Sequence, residues 1–249
     1  MKERYPDEAN SLLSAGAADI YAYMEKSEKQ EESEATMNRK LSSLKKYYGY
    51  LYSKGLISLD PSRDVKAKRV RETQRNPLTL EECRKLLSNI NGRNTLRDRA
   101  IIMLFLSCCL TVGQVMRIKT EDIKENGILI TDDDIGENLT IPISGSLKSI
   151  LSVFILQERA DARKYLFGSN DNLPIPKRTV QQIVTKHLKA NGLYEKGIST
   201  QTLRITGAVL LRDRSGLNED ELEMFYRIKK GSLPPKENSN SFFGINPLF

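Results

Sequence analysis
The chain has no CxxC pair, a single histidine and no apolar run long enough to cross a bilayer, and each shortage removes a class of function. Its three cysteines, Cys83, Cys108 and Cys109, are too few for a disulfide framework and are not spaced as zinc ligands. His187 is flanked by lysines and has no partner at metal-ligand spacing, so it reads as a surface residue and no metal is expected. The longest apolar stretch, 100–110, is eleven residues broken only by Ser107. A membrane-spanning helix needs about twenty. The opening, MKERYPDEAN, contains no hydrophobic signal core. A Walker loop, a GxGxxG turn, HExxH, a nucleophile elbow and internal repeats are all missing. These shortages point to a cytoplasmic protein in a reducing compartment, with no membrane contact and no cofactor.

What the chain does carry is positive charge. Lysine and arginine outnumber aspartate and glutamate 39 to 32, for a net charge of +7 over 249 residues. A hydrophobic content of 39% permits a real core, and the length fits one large or two modest domains. The charge is unevenly placed. Residues 1–38 hold nine acidic and four basic side chains, a balance of −5. Residues 39–75 hold eleven basic and three acidic, a balance of +8. A basic balance favours an anionic partner, and double-stranded DNA is the simplest.

Taken in order, 17–24 has helical spacing, and 28–34 is a charge run expected to be a loop. Residues 36–52 form an amphipathic helix with Leu41, Leu44, Tyr48 and Leu51 on its buried face. Arg39, Lys46 and Tyr50 fall on other faces. With Lys40, Lys45 and Lys54 they are the expected DNA contacts of this half, since tyrosine beside lysine and arginine suits phosphate and sugar. Gly55 caps the helix and Pro61 stops it. Residues 65–76 have almost no apolar content and read as a basic linker. Thr79 then caps a new helix, with Glu82 at the capping-box position.

The centre of the chain is 96–123, LRDRAIIMLFLSCCLTVGQVMRIKTEDI. An apolar helix holding Cys108 and Cys109 is followed by a turn at 110–113, a short amphipathic helix and a polar capping turn at 120–123. Two short strands follow at 127–131 and 139–143, with Pro142 marking an edge or end. Helices are expected at 147–158, 176–189 and 217–228, the last capped by Asn218. In the second of these, Lys177, Arg178, Gln181 and Lys186 point away from the apolar face and are placed to reach DNA. The stretch from 232 has no periodicity and is expected to be a flexible tail.

Three stretches carry a resemblance: the helix–turn–helix ending in K-x-E-D-I, the P-L-T-x-E-E opening at 77–82, and the run STQTLRITGAVLL at 199–211. Together they resemble the tyrosine recombinases of the phage integrase family, XerC/XerD-like, over roughly residues 10–215. The resemblance implies a mainly α fold with a small β-sheet. It implies a helical, SAM-like core-binding domain at 1–64, shortened at its start, a linker at 65–76, an integrase-like catalytic-fold domain at 77–231 and a tail at 232–249.

Family members cleave DNA without metal, forming a 3′-phosphotyrosyl link. Two arginines hold the phosphate, a hairpin lysine protonates the leaving oxygen, and histidines or a tryptophan assist. The family positions map poorly onto this sequence. Thr111 stands at the first arginine and Gln114 at a nearby acidic residue. Asp132, Asp133, Asp134 and Glu137 occupy the hairpin turn, with no lysine or arginine between Lys124 and Lys148. Gln201 stands at a histidine and Ile205 follows Arg204, the one matched catalytic position. The last tyrosine, Tyr226, lies only 22 residues beyond Arg204, and the family's nucleophile position falls near 235–236.

A hydroxyl cannot replace a guanidinium clamp. The expectation is therefore a DNA-binding member of the family, tied to site-specific recombination or integration, with a degenerate site that does not cleave. Two alternatives are an active recombinase using Tyr226 or a partner's tyrosine, and a non-catalytic assembly partner of an active recombinase. Partners are expected to be double-stranded DNA and further copies of itself or an active recombinase.

Overall fold
The computed structural model describes residues 12–68, 76–132, 137–158, 164–168, 173–214 and 216–234. It divides into two compact units, Met1–Thr73 and Gln74–Phe249.

The first unit is a helical pair, α1 (Ala17–Lys29) and α2 (Glu34–Ser53). Helix α1 runs into the charge run expected to be a loop, helped by an i,i+4 pair of Glu25 and Lys29 at 2.9 Å. Ser33 caps α2 by accepting from the Thr36 amide. Past its end, Gly55 turns the chain at φ +67°, a left-handed conformation glycine adopts without cost. Ile20, Leu41, Tyr48, Leu51 and Val65 form the core, and Leu44 packs against it half-buried. Val65 thus belongs to this core rather than to a linker. Lys68 is also tied to α2, since its amide donates to Asn38 Oδ1 at 2.9 Å and its carbonyl accepts from Asn38 Nδ2 at 2.7 Å. The rest of the expected linker, up to residue 75, lies outside the described residues.

The second unit wraps helices around one core. In order it holds α3 (Leu80–Ser88), α4 (Thr95–Ser107) and α5 (Val112–Arg117), then a 3₁₀ turn (Thr120–Asp122). Three antiparallel strands follow in the order β1 (Ile123–Lys124), β2 (Gly127–Asp132), β3 (Glu137–Ile141). Then come α6 (Gly145–Glu158), α7 (Lys177–Ala190), α8 (Thr200–Arg214) and α9 (Glu219–Tyr226). Thr79 and Glu82 close the expected capping box on α3. The strand β1 is too short to show a period in the sequence and exists because Ile123 and Lys124 pair with Ile128 and Gly127.

Helix α4 is the centre of this core, with every residue from Ala100 to Ser107 buried. Helix α8 crosses it at Gly207, where a Cβ would stand 2.2 Å from the Leu106 carbonyl oxygen. Only glycine permits that approach.

Two expectations are corrected here. Cys108 and Cys109 are buried but do not lie within the helix: Cys108 is the C-cap, and Cys109 turns left-handed at φ +51°. That stop frees Thr111 to begin α5 at once. His187 is not a surface residue; it is 1% exposed, with Nε2 2.8 Å from Asp98 Oδ2. Asp98 is itself buried and takes two further hydrogen bonds from Arg97, to Oδ1 at 3.0 and 2.8 Å. An imidazole satisfied this way is buried without an orphaned polar atom.

Candidate functional site
The α4–α5 turn, the first half of α8 and the end of α9 converge at one corner. Cys109 presents its carbonyl there because it is left-handed. Arg204, half-buried on α8, donates from Nε to that carbonyl at 2.7 Å and from Nη2 to the Arg227 carbonyl at 2.9 Å. Arg227 is also left-handed, at φ +52°, as the C-cap of α9. The guanidinium thus joins two helix-terminating turns. Burial lowers its pKa somewhat, opposed by the neighbouring Cys109, and it remains a cation.

Thr111 is closed in a reciprocal cap with Gln114. Its Oγ1 accepts from the Gln114 amide at 3.2 Å, while Gln114 Oε1 accepts from the Thr111 amide at 2.8 Å and from its hydroxyl at 3.0 Å. Both side chains serve the start of α5. Gln201 is exposed on the first turn of α8 and Ile205 is half-buried. The backbones of Asp132 and Glu137 are register partners at the end of β2 and the start of β3, while Asp133 and Asp134 lie outside the described residues.

Tyr226 is 7% exposed and packs in the core. Burial, with the Cys109 and Cys108 thiols beside it, pushes its phenol up to about 12. Burial likewise pushes the Cys83 and Cys108 thiols up to about 12 and raises Cys109. These cysteines are core residues, not nucleophiles. Among the described residues no cluster of histidine, cysteine and acidic side chains could hold a metal, and no helix is long and apolar enough to cross a membrane.

The basic residues sort by helix geometry. On α2, Arg39, Lys46 and Tyr50 recur at i, i+7 and i+11, opposite Met37, Leu41 and Tyr48, so they share one exposed face. Ser43 lies between them on the same exposed face, a small polar residue whose type alone does not mark it as a contact. Lys54 stands 5.9 Å from the Tyr50 ring at the end of this face. Lys45 is off it and reaches the Arg63 carbonyl at 3.4 Å. Lys40 is held by Glu32 at 2.5 Å and by Ser27 at 3.2 Å, over the ring of Tyr23. On α7, Lys177, Arg178 and Gln181 cluster exposed at the N-terminal end. Lys186 falls on the opposite side, its Nζ 3.9 Å from Asp98 Oδ2.

The fold is that of the integrases. The structure superposes on a lambda integrase dimer bound to a COC′ core site with a TM-score of 0.67, at 16% identity over 92% of this chain and 85% of that one. It superposes on XerH recombinase bound to a palindromic difH substrate with a TM-score of 0.66, at 17% identity over 85% of this chain and 65% of that one.

Sequence settles the family. The phage integrase family profile matches residues 76–225, and the profile of its N-terminal SAM-like domain matches residues 1–55. The chain belongs to the phage integrase family. It is 34% identical to the tyrosine recombinase XerC of Caldanaerobacter subterraneus subsp. tengcongensis, over 78% of this chain and 56% of that protein. It is 30% identical to XerC of Thermodesulfovibrio yellowstonii, over 71% of this chain and 62% of that protein. The chain therefore spans little more than half the length of these relatives.

Proposed function
We propose that this protein binds duplex DNA in site-specific recombination or integration without cleaving a strand itself. One observation carries the loss of cleavage: Arg204, the single matched catalytic position, is committed to the carbonyls of Cys109 and Arg227. Two further features agree with it. Thr111 offers a capped hydroxyl where the family clamps the phosphate, and Tyr226 is enclosed in the core. DNA binding is supported by the shared α2 face of Arg39, Lys46 and Tyr50 and by the exposed Lys177, Arg178 and Gln181 on α7. Lys40, paired with Glu32, is the weakest of the expected contacts. Relatives of this fold are described as a dimer on a core site and a tetramer on a Holliday junction. Assembly with copies of itself or with an active recombinase follows as part of the proposal.

The test is duplex binding across a salt series, together with trapping on a nicked suicide substrate. Salt-sensitive binding with no covalent adduct is expected. A phosphotyrosyl adduct would overturn the loss of cleavage, and an adduct abolished by Tyr226→Phe would identify the nucleophile.

A further inference from the structure
The exposed face of α2 holds one more residue beside Arg39, Ser43, Lys46, Tyr50 and Lys54, namely Tyr47. These six recur at i, i+4, i+7, i+8, i+11 and i+15, the spacing of a single helical stripe. Tyr47 is 41% exposed and Tyr50 57%, so both rings meet solvent. The geometry points to a stacking platform: Tyr47 and Tyr50 take the faces of unpaired bases, while Arg39, Lys46 and Lys54 hold the phosphates of the same strand. This rests on the DNA-binding function proposed above and names the form of DNA that this face prefers, one with unpaired nucleotides.

Residues three apart on a helix are neighbours, with Cβ atoms about 5–6 Å apart, so the two rings adjoin. Tyr47 is steadied by the buried Tyr48 in a T-shaped pair, ring centroids 5.2 Å apart and planes at 75°. A ring already held in place loses little freedom when a base stacks on it. Lys54 Nζ lies 5.9 Å from the Tyr50 centroid, within cation–π range, and brings a cation to the platform. Tyr52 is exposed too, but residues two apart on a helix do not share a face, so it lies off the stripe. In a duplex the groove offers base edges, sugar and phosphate, for which a phenol hydroxyl suffices. The face of a base is open to an aromatic ring only where the bases are unstacked.

The charge of the stripe complements a strand. It runs about 22 Å along the helix axis and holds three cations and no carboxylate. Among the described residues none of Arg39, Lys46 and Lys54 is in an ion pair. A row of cations beside exposed rings is what a single strand needs, since the phosphates track the charge while the bases stack. One carboxylate flanks the stripe: Asp60 Oδ2 stands 4.0 Å from the position a Cβ on Gly49 would take. Its other oxygen accepts from the Ser62 amide at 2.8 Å and the Ser62 hydroxyl at 2.7 Å, so it is held to its own turn and opposes an anion on that flank alone.

The test measures the affinity of the full chain for a short oligothymidylate, for a duplex carrying the same thymidines as an unpaired gap, and for an intact duplex. Tyr47→Ala and Tyr50→Ala are each expected to weaken binding of the two unpaired probes about five- to a hundredfold, and binding of the intact duplex by a smaller factor. Tyr47→Phe and Tyr50→Phe keep the ring and should retain affinity for the unpaired probes. Lys46→Ala should weaken all three and reduce the log–log salt slope by about one. The chain has no tryptophan, so quenching of tyrosine fluorescence reports stacking, and the quenching should shrink in either alanine variant. An oligothymidylate bound as tightly as the gapped duplex identifies a free strand as the ligand, and a gapped duplex bound more tightly identifies a junction of strand and duplex. If the wild type binds the unpaired probes but not the intact duplex, the platform stands and the duplex function falls. If it binds the intact duplex and the alanine variants lose as much there as on the unpaired probes, the rings are groove contacts and the platform is overturned. Phenylalanine variants that lose as much as the alanine variants also overturn it, and binding of none of the probes overturns both readings.

Discussion

Replacing Arg204 separates a structural clasp from a phosphate contact. In the wild type its guanidinium donates to the Cys109 and Arg227 carbonyls, the ends of two left-handed turns. A hydrogen bond from a charged donor contributes about 1.5–3 kcal/mol. The site is half-exposed, so water recovers part of that when the side chain is removed. Arg204→Ala is therefore expected to cost about 2–4 kcal/mol for the pair. Arg204→Lys reaches one carbonyl at most and should lose roughly half as much. The assay is urea unfolding at fixed temperature with the slope m held constant, beside duplex binding in a salt series. If the guanidinium is a clasp, stability falls and the salt slope of the folded variant stays unchanged. A stability loss below about 0.5 kcal/mol, coupled to a drop of about one in the salt slope, would refute the reasoning and make Arg204 a phosphate ligand.

Three further outcomes are expected. Gly207→Ala gains about 1 kcal/mol in helix propensity. It also places a Cβ 2.2 Å from the Leu106 carbonyl oxygen, so α4 and α8 must part, with a net loss of about 1–3 kcal/mol in urea unfolding; unchanged stability would contradict the close crossing. Asp98→Ala removes the partner of buried His187 and should cost about 2–4 kcal/mol. Asp98→Asn, which retains a hydrogen-bonding side chain, should cost less, and equal losses would argue against a specific pair. Tyr226 is raised from 10 in the unfolded chain to about 12 in the native state. Its contribution to stability is thus whole below pH 10 and lost as the pH rises toward 12. Native-state absorbance titration should show phenols ionising late, Tyr226 and the buried Tyr48 among them, and the Tyr226 share of that late step should vanish in Tyr226→Phe.

Much of the fold was legible because it follows from local rules. The α3 cap could be read from Thr79 and Glu82, and the inner face of α7 from Val180, Ile183, Val184 and Leu188. The end of α4 could not, because an apolar run carries no mark of where the backbone turns; the left-handed Cys109 sets it. His187 was misplaced because its lysine neighbours are exposed while its own partner, Asp98, lies 89 residues away in sequence. Of the expected DNA contacts on α2, spacing alone selected Arg39, Lys46 and Tyr50, but only packing showed Lys40 held by Glu32.

By itself the sequence determined the family and most of the helical order. Those depend on residue identity and short-range periodicity. The tertiary structure decided where Arg204 is held and that Tyr226 is enclosed. Both depend on backbone turns that bring distant residues together, and no spacing along the chain encodes them.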